Sequence, residues 1–329
     1  MPSCLIEAHD LTREFRVAET PEGFLGGLRG FLKPRYRLVQ ALAGASFRID
    51  RGEAVGYIGL NGAGKSTTIK LLCGILAPTR GRVTVAGIDP HRRRLENAGR
   101  IGLVVGQRTQ LWWDLPVRES FQLLRRVYRV PLAAYRANVA LFHDLLDLGS
   151  IWNTPVRLLS LGQRMRADLA AVFLHDPPMV YLDEPTIGLD VLAKAAVRQF
   201  LKEINRTRGV TLLLATHDLR DLALTCPRVL MVHRGRILYD GGQEELLGRY
   251  GQEVQVVAEL ERQAPPFTLP GVSVLRQDAG RLEVVFNRRS VPVAAVLAAV
   301  TESCPVRDLS VREADLESIV QRLYGGDRR

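Results

Sequence analysis

A short glycine-rich run limits what this chain of 329 residues can fold into. Its residues have the spacing G-x-x-x-x-G-K-S: Gly59, Leu60, Asn61, Gly62, Ala63, Gly64, Lys65 and Ser66. A strand is predicted over 54–59 and a helix over 65–76, which is the context that a phosphate-binding loop requires. In such a loop, backbone N–H groups and the helix N-terminus face the β and γ phosphates, the lysine adds positive charge, and the serine hydroxyl ligates Mg²⁺. The chain is therefore expected to bind a nucleotide.

A second element of phosphate chemistry is an apolar strand, 179–182, that ends in the carboxylates Asp183 and Glu184. We expect Asp183, at the strand end, to hold the Mg²⁺ shell. Glu184 projects further and is expected to polarise the water that attacks the γ-phosphate. The alternative is an acidic pair that only caps a helix before Pro185.

The order of apolar runs predicts an α/β fold. Short apolar runs at 179–182, 210–215 and 229–232 are separated by helical patterns, which is typical of a parallel sheet. The residues before 59 alternate like strands, and 117–149 has helical spacing. The most apolar run, 291–300, is half of the ~20 residues that a membrane-spanning helix needs, so the chain is not expected to cross a membrane by itself.

Charge distribution predicts a domain boundary. Of the formal net charge of +10, residues 1–250 carry +11 and residues 251–329 carry −1. We assign residues 1–248 to a nucleotide-binding domain and 249–329 to a small accessory α+β domain with a β-β-α-β-α pattern. The four cysteines form no C-x-x-C pair, which argues against a zinc site and a disulfide framework.

The order of motifs resembles the ATP-binding cassette (ABC) family. Gln107 stands where the family has its Q-loop glutamine. The run Leu159–Gln163 (LSLGQ) resembles the family's LSGGQ signature, with Leu161 in place of a glycine. Asp190 ends a D-loop-like TIGLD, and His217 follows a strand as the switch histidine does. The resemblance implies a P-loop ATPase with a RecA-like core, an antiparallel β subdomain and a helical signature subdomain.

The resemblance also assigns site residues. It implies catalytic roles for Glu184, His217 and Gln107, and Mg²⁺ contacts for Ser66, Gln107 and Asp183. ATP contacts are implied for the glycine-rich run, Thr67, Ser160, Gly162, Gln163 and Asp190. Phe15 matches the aromatic residue that stacks on adenine, although the same phenylalanine fits packing within a strand.

The longer strings at 106–116 and 159–170 resemble ATPases of ABC-2-type exporters, especially viologen or multidrug exporters. This implies an ATPase subunit that drives export through separate permeases, as a homodimer or heterodimer with ATP between the chains. Its expected place is the cytoplasmic face of the inner membrane, as a peripheral subunit, with no nucleic-acid partner. The alternatives are a soluble ABC ATPase that acts on the ribosome or nucleic acid, and a regulatory nucleotide binder that hydrolyses little.

Two further segments carry hypotheses about partners. Residues 22–37 place Phe24, Leu28, Phe31 and Leu32 on one helical face, which suits a membrane-surface helix, but four glycines equally suit a mobile excursion. Trp112 and Trp113 follow Gln107 and cannot both face inward on a regular element. One of them is a candidate anchor for a permease, and packing of both in an irregular core is the alternative. The basic stretch 80–136 either faces anionic lipid or a partner, or is simply solvated.

Overall fold

A computed structural model describes residues 4–19, 35–106, 108–313, 319, 320 and 324. The chain divides into two compact units, Met1–Asp240 and Gly241–Arg329. The helical face predicted within 22–37 lies outside the described residues, as does Gln107. Most of the helix predicted over 314–324 lies outside them too.

The strands of the first unit form two sheets. They are β1 (Cys4–Glu19), β2 (Arg35–Asp50), β3 (Ala54–Ile58), β4 (Arg80–Val85), β5 (Ile101–Val105), β6 (Met179–Asp183), β7 (Thr211–Thr216), β8 (Arg228–His233) and β9 (Arg236–Gly242). One sheet is antiparallel, in the order β2-β1-β4. The other has the order β5-β6-β7-β3-β8-β9 and is parallel from β5 to β8.

The central strands are buried, as expected for a parallel sheet. Every residue of β3, β6 and β7 is buried, as expected for apolar strands covered on both faces. In the register of β6 and β7, Asp183 lies opposite Ala215, one residue before the end of β7. The carboxyl ends of the central strands therefore meet at one edge of the sheet.

The described helices of the first unit flank these sheets. They are α1 (Lys65–Leu72), α2 (Arg94–Ala98), α3 (Val117–Val127), α4 (Leu132–Leu146), α5 (Leu161–Val172), α6 (Val191–Arg208) and α7 (Leu219–Thr225). The helical pattern over 117–149 is divided between α3 and α4. Arg129 has φ of +54°, and Pro131, the N-cap of α4, has no N–H with which to continue a helix. Among the described residues, no helix combines the length and apolar character needed to span a membrane.

One apolar cluster joins both sheets to α1. It includes Leu5 of β1, Leu42 of β2, Tyr57 of β3, Ile69 of α1 and Leu213 of β7, each at most 2% exposed. Because β2 packs in the same cluster as α1, the antiparallel sheet lies beside the glycine-rich loop. The α/β class, the antiparallel subdomain and the P-loop ATPase fold are confirmed.

The second unit is a separate α+β fold. Its described elements are α8 (Gln243–Tyr250), β10 (Glu253–Leu260), β11 (Val272–Gln277), β12 (Arg281–Asn287), α9 (Val293–Ser303) and β13 (Val306–Glu313). The strands form an antiparallel sheet in the order β11-β12-β10-β13, and Val296 and Val300 of α9 pack into its core. This unit begins at residue 241, before α8, whereas charge places the boundary at 248/249. The domain assignment remains a prediction.

Candidate functional site

The glycine-rich loop connects β3 to α1 and is shaped by close backbone contacts. Gly64 precedes the helix with φ of +112°, and a Cβ there would lie 2.5 Å from the carbonyl oxygen of Ala41. Only glycine fits such a position. Thr68, one turn into α1, donates a hydrogen bond to the Gly64 carbonyl (3.1 Å) and lies 3.0 Å from the Tyr57 hydroxyl. The start of α1 is therefore fixed against β2 and β3.

Lys65 is held inside this loop. Its side-chain nitrogen donates to the carbonyl of Gly59 (2.5 Å) and contacts that of Leu60 (3.4 Å), and the residue is 8% exposed. Burial lowers the pKa of Lys65, while the carboxylates of Glu184 and Asp183 oppose that shift. A largely buried cation at the N-terminus of α1 is suited to bind an anion.

The loop and the strand carboxylates line one open cavity of about 370 Å³. Its described lining is Ala41, Leu60, Asn61, Gly62, Gly64, Lys65, Ser66, Thr67, Asp183 and Glu184. The structure thus brings together most of the glycine-rich loop and both carboxylates predicted from the strand that precedes Pro185. Ala41 of β2 also lines the cavity, and the sequence did not predict this position.

Asp183 and Ser66 offer oxygen ligands side by side. Burial raises the pKa of Asp183, and its hydrogen bond with the Ser66 side chain offsets only part of that rise. A carboxylate and a hydroxyl that share a hydrogen bond at a phosphate cavity fit Mg²⁺, which prefers hard oxygen donors and keeps several waters. Gln107, the third residue assigned to the ion, lies outside the described residues.

Glu184 is bound directly to His217. The Glu184 Oε1 atom lies 2.9 Å from His217 Nδ1 and accepts a hydrogen bond from the His217 backbone N–H (3.1 Å). Thr216 donates to Oε2 at 3.3 Å. The Glu184 backbone N–H donates to the Ala215 carbonyl (2.8 Å) while its φ is +56°. Because β6 and β7 are neighbours, residues more than 30 positions apart form one pair beside the cavity.

The signature residues are organised by helix capping. Ser160 caps α5: its hydroxyl accepts from the Gln163 N–H (3.2 Å), and Gln163 Oε1 accepts from the Ser160 N–H (2.9 Å). Gly162 follows in the first turn, where a Cβ would lie 3.4 Å from that of Ala193 in α6. Asp190 caps α6 by accepting from the Ala193 N–H (2.8 Å).

These residues stand apart from the chain's own cavity. Among the described lining residues, none is Ser160, Gly162, Gln163 or Asp190. Phe15 is not part of that lining either: it is half-buried on β1, and the guanidinium of Arg13 lies 4.8 Å from its ring centre. The adenine-stacking role of Phe15 remains a prediction.

Both adjacent tryptophans reach solvent. Trp112 is 41% exposed and Trp113 is 50% exposed, so packing of both in a core does not occur. The guanidinium of Arg164, on α5, lies 5.5 Å from the Trp113 ring centre. One turn further along α5, Asp168 binds Thr109 (2.8 Å).

Sequence reasoning missed Asp168 and Thr109. Asp168 follows Arg164 by four residues on an amphipathic helix, a spacing that predicts a solvent-exposed ion pair. Thr109 lies in a segment without a regular pattern. The available signal was the spacing of Ser160, Arg164 and Asp168, which places them on one face of α5.

Comparisons with known proteins identify the class. The family model described as "ABC transporter" matches residues 42–187. The chain is 32% identical to the daunorubicin resistance ATP-binding protein DrrA3 of Streptomyces coeruleorubidus, over 90% of this chain and 94% of that protein. It is 31% identical to the Nod factor export ATP-binding protein I of Ralstonia nicotianae, over 95% and 97%. A solved ATP-binding subunit of an ABC transporter superposes with a TM-score of 0.62 at 27% identity, covering 75% of this chain and 93% of that one.

The chain therefore belongs to the ABC transporter family and is one of its ATP-binding proteins. The ATPase class predicted from the motif order is confirmed, and the names of these relatives favour a transporter subunit over a ribosome factor. The roles of individual site residues remain predictions.

Proposed function

We propose that this chain is the ATP-hydrolysing subunit of an ABC-2-type exporter. One observation carries the catalytic part: Lys65, Ser66, Asp183 and Glu184 line one open cavity, and His217 contacts Glu184 beside it. The names of two full-length relatives, one for drug resistance and one for Nod factor export, support export as the direction of transport.

The loop would bind the phosphates of ATP. We propose that Lys65 exchanges the Gly59 and Leu60 carbonyls for β- and γ-phosphate oxygens, which are stronger acceptors because they are charged. Ser66 and Asp183, together with Gln107, would hold Mg²⁺. When bound, the ion neutralises charge that develops on the phosphates.

Glu184 would orient the attacking water. His217 and Thr216 hold its carboxylate by three contacts between 2.9 and 3.3 Å, so the carboxylate is preorganised and needs little rearrangement. As general base, Glu184 would accept a proton from the water whose oxygen attacks the γ-phosphorus, while the bond between the γ-phosphorus and the leaving oxygen of ADP breaks. His217 is then the residue that positions Glu184 and whose exposed ring is available to the γ-phosphate.

A second chain would complete each site. Ser160 and Asp190 begin helices, and their segments do not line the cavity of their own chain. Helix N-termini favour anions, so we propose that Ser160, Gly162 and Gln163 face the ATP held by a partner chain. The partner is a second copy or a homologous subunit.

ATP hydrolysis would drive conformational changes in separate permease subunits that contact this chain. Exposed tryptophans are enriched at interface hot spots, and Trp112 and Trp113 lie just after Gln107, on the segment joined to α5. We place the chain as a peripheral subunit on the cytoplasmic face of the membrane, with a membrane protein as partner and no nucleic acid.

The test is Glu184→Gln. Loss of the carboxylate should slow ATP hydrolysis by about 10²–10⁴-fold while ATP binding persists, so that a dimer accumulates with Mg·ATP in size-exclusion chromatography. Lys65→Ala should lose nucleotide binding instead. Glu203→Gln is the matched control, because Glu203 pairs with Arg206 on the surface of α6. Turnover of Glu184→Gln equal to that of the control would refute the role of Glu184.

A further inference from the structure

The segment that follows Gln107 is bonded to the signature helix α5. Asp168 Oδ1 accepts hydrogen bonds from the Thr109 hydroxyl (2.8 Å) and the Gln110 backbone N–H (3.1 Å). The Gln110 side chain donates to the Asp168 carbonyl (3.2 Å), and the Leu111 N–H donates to the Thr109 hydroxyl (3.1 Å). We call these four hydrogen bonds the Asp168 contact.

Arg164, one turn before Asp168, extends the attachment to the tryptophans. Its guanidinium lies over the Trp113 ring, and the Trp113 carbonyl accepts from the Arg157 N–H (2.9 Å), just before the signature. Ser160, Arg164 and Asp168 are spaced four residues apart on α5. The face of α5 that begins with Ser160 therefore holds the segment 109–113.

We propose that Asp168 is a positioning residue that couples the segment after Gln107 to the signature helix. The inference rests on the proposed function, in which Gln107 serves the chain's own cavity and Ser160 serves that of its partner. Through the Asp168 contact, a displacement of Thr109–Trp113 moves α5, and with it Ser160. Asp168 touches no reacting group: it acts by fixing the distance between two segments that serve different ATP sites.

Burial makes the contact specific. Asp168 is 5% exposed, so its carboxylate is satisfied by Thr109 and Gln110 rather than by bulk water. A buried acceptor that loses these donors leaves polar groups unpaired, which is costly. Hydrogen bonds of this kind favour one register between the segment and α5, whereas apolar packing alone tolerates sliding.

Hydrogen exchange of the full-length chain without nucleotide tests the coupling. Asp168→Ala should speed amide exchange at least fivefold in both 109–115 and 160–166, and Asp168→Asn, whose amide oxygen accepts the same hydrogen bonds, should restore both segments. Ser120→Ala is the matched control. Ser120 lies on α3 and accepts a hydrogen bond from the Trp112 N–H (3.2 Å). Its removal should therefore speed amide exchange in 109–115 without affecting 160–166. Faster exchange of Asp168→Ala confined to 109–115 would overturn the proposal.

Kinetics test the positioning role. At a temperature well below unfolding, Asp168→Ala and Thr109→Val should each lower kcat about tenfold, with the Kd for ATP changed less than twofold. Asp168→Asn and Thr109→Ser should restore kcat. Unchanged kcat in Asp168→Ala would overturn the proposal. A wild-type chain that hydrolyses no ATP would instead refute the proposed function, and exchange at 160–166 would still decide the inference.

Discussion

Replacing Asp168 by asparagine should raise the stability of the first unit relative to the wild type as the pH rises from 4 to 8. Burial raises the pKa of Asp168 to about 6, from 3.8, although Thr109, Gln110 and the nearby Arg164 favour its charged form. The folded state therefore keeps a proton that the unfolded state loses between about pH 4 and 6. Over this window, rising pH lowers the contribution of Asp168 to the free energy of unfolding.

The magnitude follows from the shift of pKa. About two pKa units at 1.36 kcal/mol each amount to roughly 3 kcal/mol. Asparagine does not titrate, and its amide oxygen accepts the same two hydrogen bonds. Because the unfolded carboxyl is already partly ionised at pH 4, the free energy of unfolding of Asp168→Asn minus that of the wild type should rise by about 2.5 kcal/mol from pH 4 to pH 8.

Urea unfolding followed by tryptophan fluorescence measures this difference. All three tryptophans, Trp112, Trp113 and Trp152, belong to the first unit, so their emission reports that unit alone. Other groups titrate in both proteins and cancel in the difference. A difference that falls with pH would show that the folded state stabilises the charged Asp168 carboxylate, and a difference that stays constant from pH 4 to 8 would show that folding leaves its pKa unchanged. Either result would refute the reasoning.

Two further predictions concern partners and domains. Trp113→Ala should abolish stimulation of the ATPase by the reconstituted permease. Basal turnover should stay within twofold, because the exposed ring is remote from the phosphates. A lower melting temperature with normal stimulation would indicate a packing role instead. Truncation after Gly242 should leave a folded unit that binds ATP normally but dimerises more weakly. Truncation after Gly248 keeps most of α8 without the sheet that follows it, so this product should be more sensitive to protease. Equal dimerisation of truncated and full-length chains in ultracentrifugation would exclude an accessory role.

The sequence predicts the phosphate cavity well, because its chemistry is carried by contiguous residues. The loop from Gly59 to Ser66 and the strand that ends at Asp183 each contain their own structural context. The contact between Glu184 and His217 is different, because it depends on β6 and β7 being neighbours. An order of apolar runs predicts a parallel sheet but does not specify which strands are adjacent.

The elements that sequence reasoning missed have weak local patterns. β5 (IGLVV) contains a glycine, and its Leu103 and Val105 are only partly buried. In β11, several side chains are exposed, including Val274 and Leu275, so alternation is lost. The Asp168 contact joins residues 59 positions apart, and no local pattern reports such a pairing.

A second polar link accompanies the Asp168 contact and runs between the other two helices of the site. Asp190 begins α6, and Lys194 on that helix donates to Asp218 (2.6 Å), which caps α7 directly after His217. Arg198, one turn further, binds the buried Asp221 of α7. The helices α5 and α6, which Ser160 and Asp190 cap, are thus each bonded to a segment that follows a residue assigned to the chain's own site, Gln107 or His217. Because hydrogen bonds and ion pairs are directional, we expect a displacement of α7 to move α6 with it.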